Sequence, residues 1–315
     1  MKTSEVNWDD CCCDGPFHEG ECEVQQRVGE EHIAKRTGQI ISDRIPGRAI
    51  EFVNKQPMVI TSSIDKDKNI WTSILVGKPG FVTALDEQNV QINLSKLVSS
   101  KLDLFWENIR ENTNIGMLFI ELTTRKRLRV NGMVSLSNEN INVSVQQAYP
   151  NCPKYIQRRE IEVVKTDTDL SNSNLNGSSL TNDLKQWIEN LDTMFVGSSD
   201  DKSNLDASHR GGDPGFIQIV DESTLKIPDY PGNSMYNTLG NFMSNPKAGL
   251  LFVDFKEGKT LQLTGKAEIV WHDEDAQEKT GGTMRLWEFV ISKWIQIDSL
   301  KSVNWRFIDS SPFNP

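Results

Sequence analysis

The sequence predicts a mainly β protein made of two fused antiparallel barrels, each with a short helix. Three observations support this fold class. Two stretches of the chain repeat each other at an offset of about 135 residues. Each copy alternates short apolar runs with turn residues, a pattern of strands. A polar segment separates the copies. Since the 315 residues correspond to about two domains, the repeat indicates two copies of one barrel packed as a pseudo-dimer within one chain.

The repeat consists of blocks that keep the same order in both copies. The matching blocks are Ser62-Ser63 with Ser198-Ser199, GKPGF (77–81) with GDPGF (212–216), and NIGMLFIELTTRKRLRVNG (114–132) with PKAGLLFVDFKEGKTLQLTG (246–265). Three matches in one order indicate duplication rather than chance.

The second copy predicts five strands and one helix. The predicted strands are Phe216–Val220, Leu225–Ile227, Leu250–Phe255, Thr260–Trp271 and Trp287–Ile297. Pro228 should stop the second of these strands, and Ser234–Asn245 carries apolar residues at helical spacing. In the first copy, Asp103–Asn112 is the matching helix and Ile141–Ala148 the matching last strand.

The chain divides into four parts on this pattern. We expect an N-terminal extension (1–56) with a helix over Val24–Thr37, a first barrel (57–164), a linker (165–183) and a second barrel (184–315). The linker is rich in Ser, Asn, Asp and Thr. Asp183 is a candidate cap for a short helix that leads into the second barrel.

The charge balance bounds the class of partner. Lys and Arg number 34 and Asp and Glu 44, giving a net charge of −10. This balance argues against nucleic acid as a partner, because such binding needs clustered cations. No apolar run reaches membrane-span length and no signal peptide is evident, so we expect no membrane partner and a cytoplasmic location.

The cysteines indicate neither a metal site nor a disulfide framework. Cys11, Cys12, Cys13 and Cys22 lie near the N-terminus, and Cys152 is alone. An odd number without a secretion signal does not predict paired disulfides. No CxxC pair accompanies His18, so we expect no metal.

The two copies differ most at one strand. Where the first copy has Trp71–Val76, the second has Asp206-Ala-Ser-His-Arg-Gly. Arg210 presents a planar fork suited to phosphate, Ser208 adds a short donor, and Gly211 lets a ligand approach the backbone. His209 faces the opposite side of an alternating strand, which favours a packing or hydrogen-bonding role over a catalytic one.

A second polar segment precedes the helix of the second copy. Ile-Pro-Asp-Tyr-Pro-Gly-Asn-Ser ends at Ser234, a good helix cap, and Gly232 and Asn233 tolerate left-handed conformations. Such a loop can direct free N–H groups at an anion. A tight turn with no ligand explains it equally well on spacing alone.

Together these motifs resemble a known family. Ser-x-Arg-Gly-x-x-Pro-Gly-Phe, Ile-Pro-Asp-x-Pro-Gly-Asn, Ala-Gly-Leu-Leu-Phe and Gly-Lys-Ala occur in the order found in the pyridoxamine 5′-phosphate oxidase-related, FMN-binding split-barrel family. In the first copy, Phe17-His18-x-Gly-Glu, Thr-Arg-x-Arg-Leu-Arg-Val-Asn-Gly and Asn-Cys-Pro-Lys-Tyr-Ile-Gln resemble a two-copy branch of it.

The resemblance implies a flavin mononucleotide between the two barrels. Ser208 and Arg210 would meet its phosphate, Gly232, Asn233 and Ser234 would add donors, and Pro228 would lie near the flavin. The first barrel would supply the other wall. Its candidate residues are Arg125, Arg127, Arg129 and Lys154, for which the alternative is a solvated cationic surface.

The function implied is an FMN-dependent oxidoreductase acting on an unknown small molecule. Its electron donor would be NAD(P)H or a reductase partner. The alternatives are a flavin-binding or storage module without turnover, and a barrel that binds haem or a deazaflavin instead. The chain lacks the Arg-x-x-Leu-Leu-Lys strand of true pyridoxamine phosphate oxidases, so we do not expect that reaction. The degenerate first copy indicates one flavin per chain, in a monomeric pseudo-dimer or a homodimer.

Overall fold

Two antiparallel sheets, one of seven strands and one of eight, form the framework of the protein and share an order of seven strands. The computed structural model describes residues 15–163, 174–298 and 300–315. The strands of the first sheet are β1 (Met58–Ile64), β2 (Ile70–Val76), β3 (Val82–Ala84), β4 (Asn89–Asn93), β5 (Asn114–Glu121), β6 (Lys126–Leu136) and β7 (Asn140–Asn151). They are ordered β2-β1-β5-β6-β7-β4-β3.

Two short strands follow the first sheet: β8 (Arg158–Val163) and β9 (Asn174–Gly177). The strands of the second sheet are β10 (Thr193–Ser199), β11 (Leu205–Gly211), β12 (Gln218–Ile219), β13 (Thr224–Pro228), β14 (Lys247–Asp254), β15 (Lys259–Val270) and β16 (Leu286–Ile297). Their order, β11-β10-β14-β15-β16-β13-β12, reproduces that of the first sheet strand for strand. The fold class predicted from the repeat is thus confirmed.

Six α-helices accompany the sheets in the described part of the chain. They are α1 (Glu19–Val28), α2 (Glu31–Gly38), α3 (Gly47–Asn54), α4 (Phe105–Glu111), α5 (Asn182–Glu189) and α6 (Asn237–Ser244). Helices α3 and α5 precede their barrels at equivalent positions, and α4 and α6 interrupt the barrels as the sequence predicts.

The N-terminal extension differs from its prediction. The single helix expected over Val24–Thr37 is two helices, because Gly29 adopts a left-handed conformation (φ 75°) and its N–H caps the end of α1. Cys22 is disulfide-bonded, contrary to expectation. Cys11, Cys12 and Cys13 lie outside the described residues.

The expected linker contributes a strand to the second barrel. Residues 164–173 lie outside the described part, but β9 pairs with β16 over Asn174–Gly177. Gly177 fits there because a Cβ would lie 2.7 Å from the Trp294 ring. The cap of α5 is Thr181, whose hydroxyl accepts from Leu184 N (3.3 Å), rather than Asp183.

A two-stranded sheet joins the segment after the first barrel to the C-terminal part of the chain. Strand β8 pairs antiparallel with β17 (Val303–Asp309). The sequence showed no sign of this pairing, since nothing in either strand repeats.

The two barrels pack face to face through their equivalent strands. A buried apolar cluster between them includes Ile60, Leu118, Phe195 and Leu251, and each barrel has its own core. The backbones approach closely here: a Cβ on Gly249 would lie 2.7 Å from the carbonyl oxygen of Ile70. None of the helices in the described residues is long and apolar enough to cross a membrane.

Candidate functional site

A cavity of about 80 Å³ lies where β11, the edge strand of the second barrel, meets the first barrel. The first barrel contributes Arg127, Arg129, Asn151, Cys152 and Tyr155. The second contributes Ser208, His209, Arg210, Gly211, Asp229, Tyr230, Gly232, Asn233, Ser234, Tyr236, Asn237, Thr238 and Leu239. Both copies of the repeat therefore build one cavity.

The structure brings most of the predicted site residues together. Eight of them line the cavity: Ser208, Arg210, Gly211, Gly232, Asn233 and Ser234 from the second barrel, and Arg127 and Arg129 from the first.

Pro228 does not line the cavity. It is paired with Leu286 inside the sheet, at the end of β13. Strand β13 does end at Pro228, as the sequence predicts, with the proline itself as its last paired residue. On an antiparallel strand, proline is tolerated where its missing N–H is not needed.

Arg125 and Lys154 lie outside the cavity. Arg125 adopts a left-handed conformation (φ 57°) one residue before β6 begins, so it does not share the face of the two arginines that follow. Its Nε donates to Ile156 O (2.8 Å), and its guanidinium forms an ion pair with Asp309. Lys154 is half-buried in the segment after β7 and is not among the lining residues.

Arg129 holds the two barrels together across the cavity. Its Nε donates to Ala207 O (3.1 Å) and its Nη2 to the Ser208 hydroxyl (2.5 Å). Its Nη1 lies 2.9 Å from the Asp206 carboxylate, and both side chains are buried. Because its donors are engaged and its charge is paired, Arg129 positions Ser208 rather than offering a free cation.

Arg210 is a cation without a close counter-charge. Its buried Nε has no hydrogen-bond partner in the described residues, and its Nη2 lies 3.9 Å from Asp229. Asp229 is engaged by Arg285, whose Nη2 lies 3.0 Å away. Burial lowers the pKa of Arg210, which shows that the uncompensated charge is disfavoured. An anion in the cavity would relieve this cost.

Arg127 is the second uncompensated cation. Its Nε donates to Cys152 O (2.7 Å), and its Nη2 lies 3.6 Å from Cys152 Sγ. Burial lowers the pKa of Arg127 to about 10, so the side chain stays protonated at neutral pH. Arg127 and Arg210 together leave the cavity with an excess of positive charge, and the geometry suits a phosphate or carboxylate.

The loop before α6 is shaped differently from its prediction. Ser234 is itself left-handed (φ 62°) and does not cap the helix, which begins after Tyr236 without a side-chain cap. Asn233 Oδ1 instead accepts from Met235 N (3.1 Å). Gly232 faces open space, since a Cβ there would have only Tyr230 O nearby at 3.9 Å.

Gly211 lines the cavity and is also needed for chain packing. A Cβ on Gly211 would lie 2.1 Å from Tyr155 O, so the glycine admits the segment that follows the first barrel. Tyr155 then packs against Tyr230 with ring centroids 4.9 Å apart, and its hydroxyl donates to Pro231 O (2.9 Å). The sequence pointed to Tyr155 only through its motif and gave no sign of this aromatic pair.

His209 packs as expected but does not hydrogen-bond. It is 3% exposed, and its ring meets Phe195 edge-on with centroids 5.6 Å apart. Neither ring nitrogen has a hydrogen-bond partner among the residues described. Burial, and then Arg127 and Arg210, hold the pKa of His209 well below its ordinary value, so the imidazole is neutral.

The N-terminal extension supports the helix that borders the cavity. A Cβ on Gly20 would lie 2.3 Å from Gly240 O, so α1 and α6 cross in close contact. The buried Glu21 carboxylate accepts from Asn237, and Gln25 Nε2 donates to Met235 O (3.1 Å). The sequence did not predict this role, because α1 has no counterpart in the described part of the second copy.

On the other side of the pseudo-dimer, uncharged residues occupy the positions equivalent to Arg129 and Arg210. Gln262 stands where the first barrel has Arg129, and its Nε2 donates to Thr72 O (2.8 Å) and to the Ser73 hydroxyl (2.9 Å). These are the counterparts of the Arg129 bonds to Ala207 O and Ser208. Leu75 replaces Arg210 and is fully buried. No group of three or more His, Cys, Asp or Glu within the described ranges is arranged to hold a metal.

Residues 180–296 match the family model described as pyridoxamine 5′-phosphate oxidase. The second barrel matches this family. The resemblance drawn from its motifs is thereby confirmed. A comparison with curated proteins finds no match.

Several solved structures are similar to about two fifths of the chain. One is a putative pyridoxamine 5′-phosphate oxidase from Lactobacillus delbrueckii, with 18% identity over 38% of this chain and 97% of that one and a TM-score of 0.32. Another is an FAD-binding protein from Mesorhizobium loti, with 10% identity over 39% and 97% and a TM-score of 0.29. A third is the haem storage protein HutZ from Vibrio cholerae, with 13% identity over 35% and 87% and a TM-score of 0.25.

Proposed function

We propose that the chain binds FMN in the cavity between its barrels and acts as an FMN-dependent oxidoreductase. The observation that carries the proposal is the pair of arginines Arg127 and Arg210 beside the hydroxyl of Ser208. The carboxylate nearest to Arg210, Asp229, lies 3.9 Å away and is already paired with Arg285. A phosphate monoester offers oxygen acceptors and negative charge to such a group. The family match to the second barrel favours flavin over other phosphorylated ligands.

The residues present fit the phosphate end of the cofactor. Arg210 Nε is a buried donor that lacks a partner in the described part of the chain, as a phosphate site requires. Cavities that enclose a whole drug-sized ligand measure roughly 300–1,000 Å³. One of about 80 Å³ has room for the phosphate and the neighbouring chain, so the flavin ring would lie outside it.

In this proposal the flavin and the protein side chains have separate roles. Bound flavin supplies hydride and electron transfer. The chain's own residues bind and orient: Arg127 and Arg210 neutralise the phosphate, Arg129 fixes Ser208, and the Tyr155–Tyr230 pair forms one wall beside the loop.

The absorbance spectrum of untreated protein tests the proposal. We expect a flavin spectrum, release of FMN on denaturation identified by mass, and at most one FMN per chain. NADH or NADPH should bleach the spectrum under anaerobic conditions. Bound FMN that no common donor reduces would indicate a storage module instead. A haem or deazaflavin spectrum, or colourless protein whose melting temperature excess FMN does not raise, would refute the proposal.

A further inference from the structure

A series of hydrogen-bonded side chains connects helix α1 of the N-terminal extension to the proposed phosphate site. The buried Glu21 carboxylate accepts from the side-chain amide of Asn237, a residue that lines the cavity. Asn237 Oδ1 accepts from Arg129 Nη1 (3.0 Å), and Arg129 Nη2 donates to the Ser208 hydroxyl (2.5 Å). Glu21 therefore reaches Ser208 through three hydrogen bonds, although it is not among the residues that line the cavity.

The two neighbours of Asn237 fix the orientation of its amide. A carboxylate only accepts hydrogen bonds and a guanidinium only donates them. The amide nitrogen of Asn237 therefore faces Glu21, and its oxygen faces Arg129. The second oxygen of Glu21 accepts from His18 N (2.9 Å) in the cap of α1. Both positions call for an acceptor, which glutamate supplies and glutamine, with one oxygen and one NH₂ group, does not.

The bond from Arg129 determines what the Ser208 hydroxyl can do. The oxygen of Ser208 accepts from Arg129, so its proton is left to donate, either to the Thr238 hydroxyl 2.9 Å away or to an anion in the cavity. The guanidinium is held in turn by its other partners, which include the Asn237 oxygen and the Tyr149 hydroxyl (2.7 Å). Supporting hydrogen bonds of this kind keep a binding group in its productive geometry.

The pseudo-symmetry places an apolar residue at the position equivalent to Asn237. Helices α4 and α6 align because Asn108 on one and Asn241 on the other each donate to a serine hydroxyl, at 3.0 and 2.9 Å. Four residues before these asparagines stand Leu104 and Asn237. Leu104 packs against the apolar cluster around Trp71. Since leucine suits the framework here, the amide at position 237 points to a role in the site rather than in the fold.

We propose that Glu21 is a positioning residue for the phosphate site: it orients Asn237, which holds Arg129 and, through it, the Ser208 hydroxyl. Helix α1 is then part of the binding site, although it lies outside both copies of the repeat. The inference rests on the proposed anion site in the cavity and goes beyond it, because it makes ligand affinity depend on a segment that the duplicated barrels do not contain.

Exchange of the carboxylate and the amide tests this proposal. Glu21→Gln and Asn237→Asp each bring two donors or two acceptors face to face, so each should weaken binding of inorganic phosphate and of FMN about tenfold, the effect of one lost hydrogen bond. The double variant restores complementary partners at unchanged net charge and should recover most of the affinity. Isothermal titration calorimetry measures both ligands.

A third variant uses the residue that the fold accepts at the equivalent position. Asn237→Leu should fold, since Leu104 fits α4, and should lose phosphate affinity to the same extent. Adding Glu21→Gln to it should cause no further loss, because the two residues act through one series of contacts. Unchanged phosphate affinity in Asn237→Leu, or a full second loss in the combination, would overturn the inference.

Charge and helix docking predict different results from positioning. A carboxylate repels an anion, so loss of the Glu21 charge alone would not weaken phosphate binding. A contact that serves helix docking alone would lower the melting temperature and leave affinity unchanged. Arg27→Ala is the matched control, because Arg27 on α1 lies over the Trp271 ring (4.1 Å) and takes no part in the series. It should leave phosphate affinity unchanged. Unchanged affinity in Glu21→Gln, or no recovery in the double variant, would refute positioning.

Inorganic phosphate keeps this test separate from the proposed cofactor. Loss and recovery of phosphate affinity without FMN binding would refute the proposed function and uphold the inference. FMN and phosphate binding that none of the variants changes would uphold the function and overturn the inference. Binding of neither ligand to the wild type would overturn both.

Discussion

Arg210 should contribute much to ligand affinity and little to folding. Its Nε has no partner among the residues that the structure describes, its Nη2 is beyond hydrogen-bond distance of Asp229, and burial lowers its pKa. Leu75 occupies the equivalent position in the first barrel and is fully buried. Arg210→Leu therefore removes a cation and leaves a side chain that this fold already accepts.

The size of the effect follows from the geometry. A hydrogen bond to a charged partner contributes about 1.5–3 kcal/mol. The Arg210 side chain is 26% exposed, and solvent screens part of its charge, which places the loss near the lower end, about 2 kcal/mol. This corresponds to an FMN dissociation constant about 30-fold weaker. The variant should also show a shallower loss of FMN affinity with added NaCl.

Two measurements check this prediction. Quenching of FMN fluorescence gives the dissociation constant, and thermal unfolding without FMN gives the stability. The unliganded variant should melt at the wild-type temperature or above it, because the cost of burying the charge is gone. Arg48→Leu, an exposed arginine on α3, is the matched control and should change neither value. Unchanged FMN affinity in Arg210→Leu, or a melting temperature several degrees lower without ligand, would refute the reasoning.

Three other substitutions probe packing and charge on the two sides of the junction between the barrels. Gly211→Ala should destabilise the protein by at least about 2 kcal/mol in urea unfolding, because its Cβ would meet a carbonyl oxygen at 2.1 Å. Gly232→Ala, with open space around its Cβ, is the control. Arg129→Gln should cost about 3 kcal/mol, since it leaves Asp206 buried and unpaired. Asp103→Asn should become progressively more stable relative to wild type as the pH rises above 3.8, because burial raises the pKa of Asp103 in the folded state.

The sign of the last effect follows from proton linkage. A folded-state pKa raised above 3.8 means that the folded protein binds more protons, so the wild type loses stability as pH rises through that raised value. Urea unfolding of both proteins between pH 4 and 7 measures the difference, and a constant difference would contradict it. For Arg129→Gln, adding Asp206→Asn should restore most of the stability; no recovery would exclude the ion pair as the cause. Equal stability of the two glycine variants would contradict the packing argument.

The repeat predicted the barrels because each half of the duplication confirms the other. A strand pattern that recurs at a fixed offset is a stronger signal than either copy alone, and the two sheets share their strand order. It also drew attention to the strand that borders the cavity, since Arg210 stands where the first copy has the apolar Leu75. Such a substitution within a repeat points to a ligand rather than to the fold.

The features that sequence reasoning missed depend on contacts between distant segments. Strands β8 and β17 are about 145 residues apart and neither belongs to the repeat. The role of Gly211 depends on the approach of Tyr155 O, and that of Glu21 on Asn237. Arg125 was expected beside Arg127 and Arg129, but it lies in the turn before β6 with a left-handed backbone and pairs with Asp309. None of these contacts leaves a pattern in the sequence with the two-residue period of a strand or the 3.6-residue period of a helix.

Fusion of the two copies explains how a symmetric framework can hold an asymmetric site. In a dimer of identical chains, any residue that builds one cavity also appears in the second. Here Arg129 and Gln262 make the same bonds to a carbonyl and a serine hydroxyl, so the framework at the junction is preserved on both sides. Of these two residues only Arg129 is charged. The cavity on the Arg129 side also has Arg210, where the equivalent position on the Gln262 side is Leu75. The symmetric bonds therefore hold the barrels together, while the differences between equivalent residues define the site.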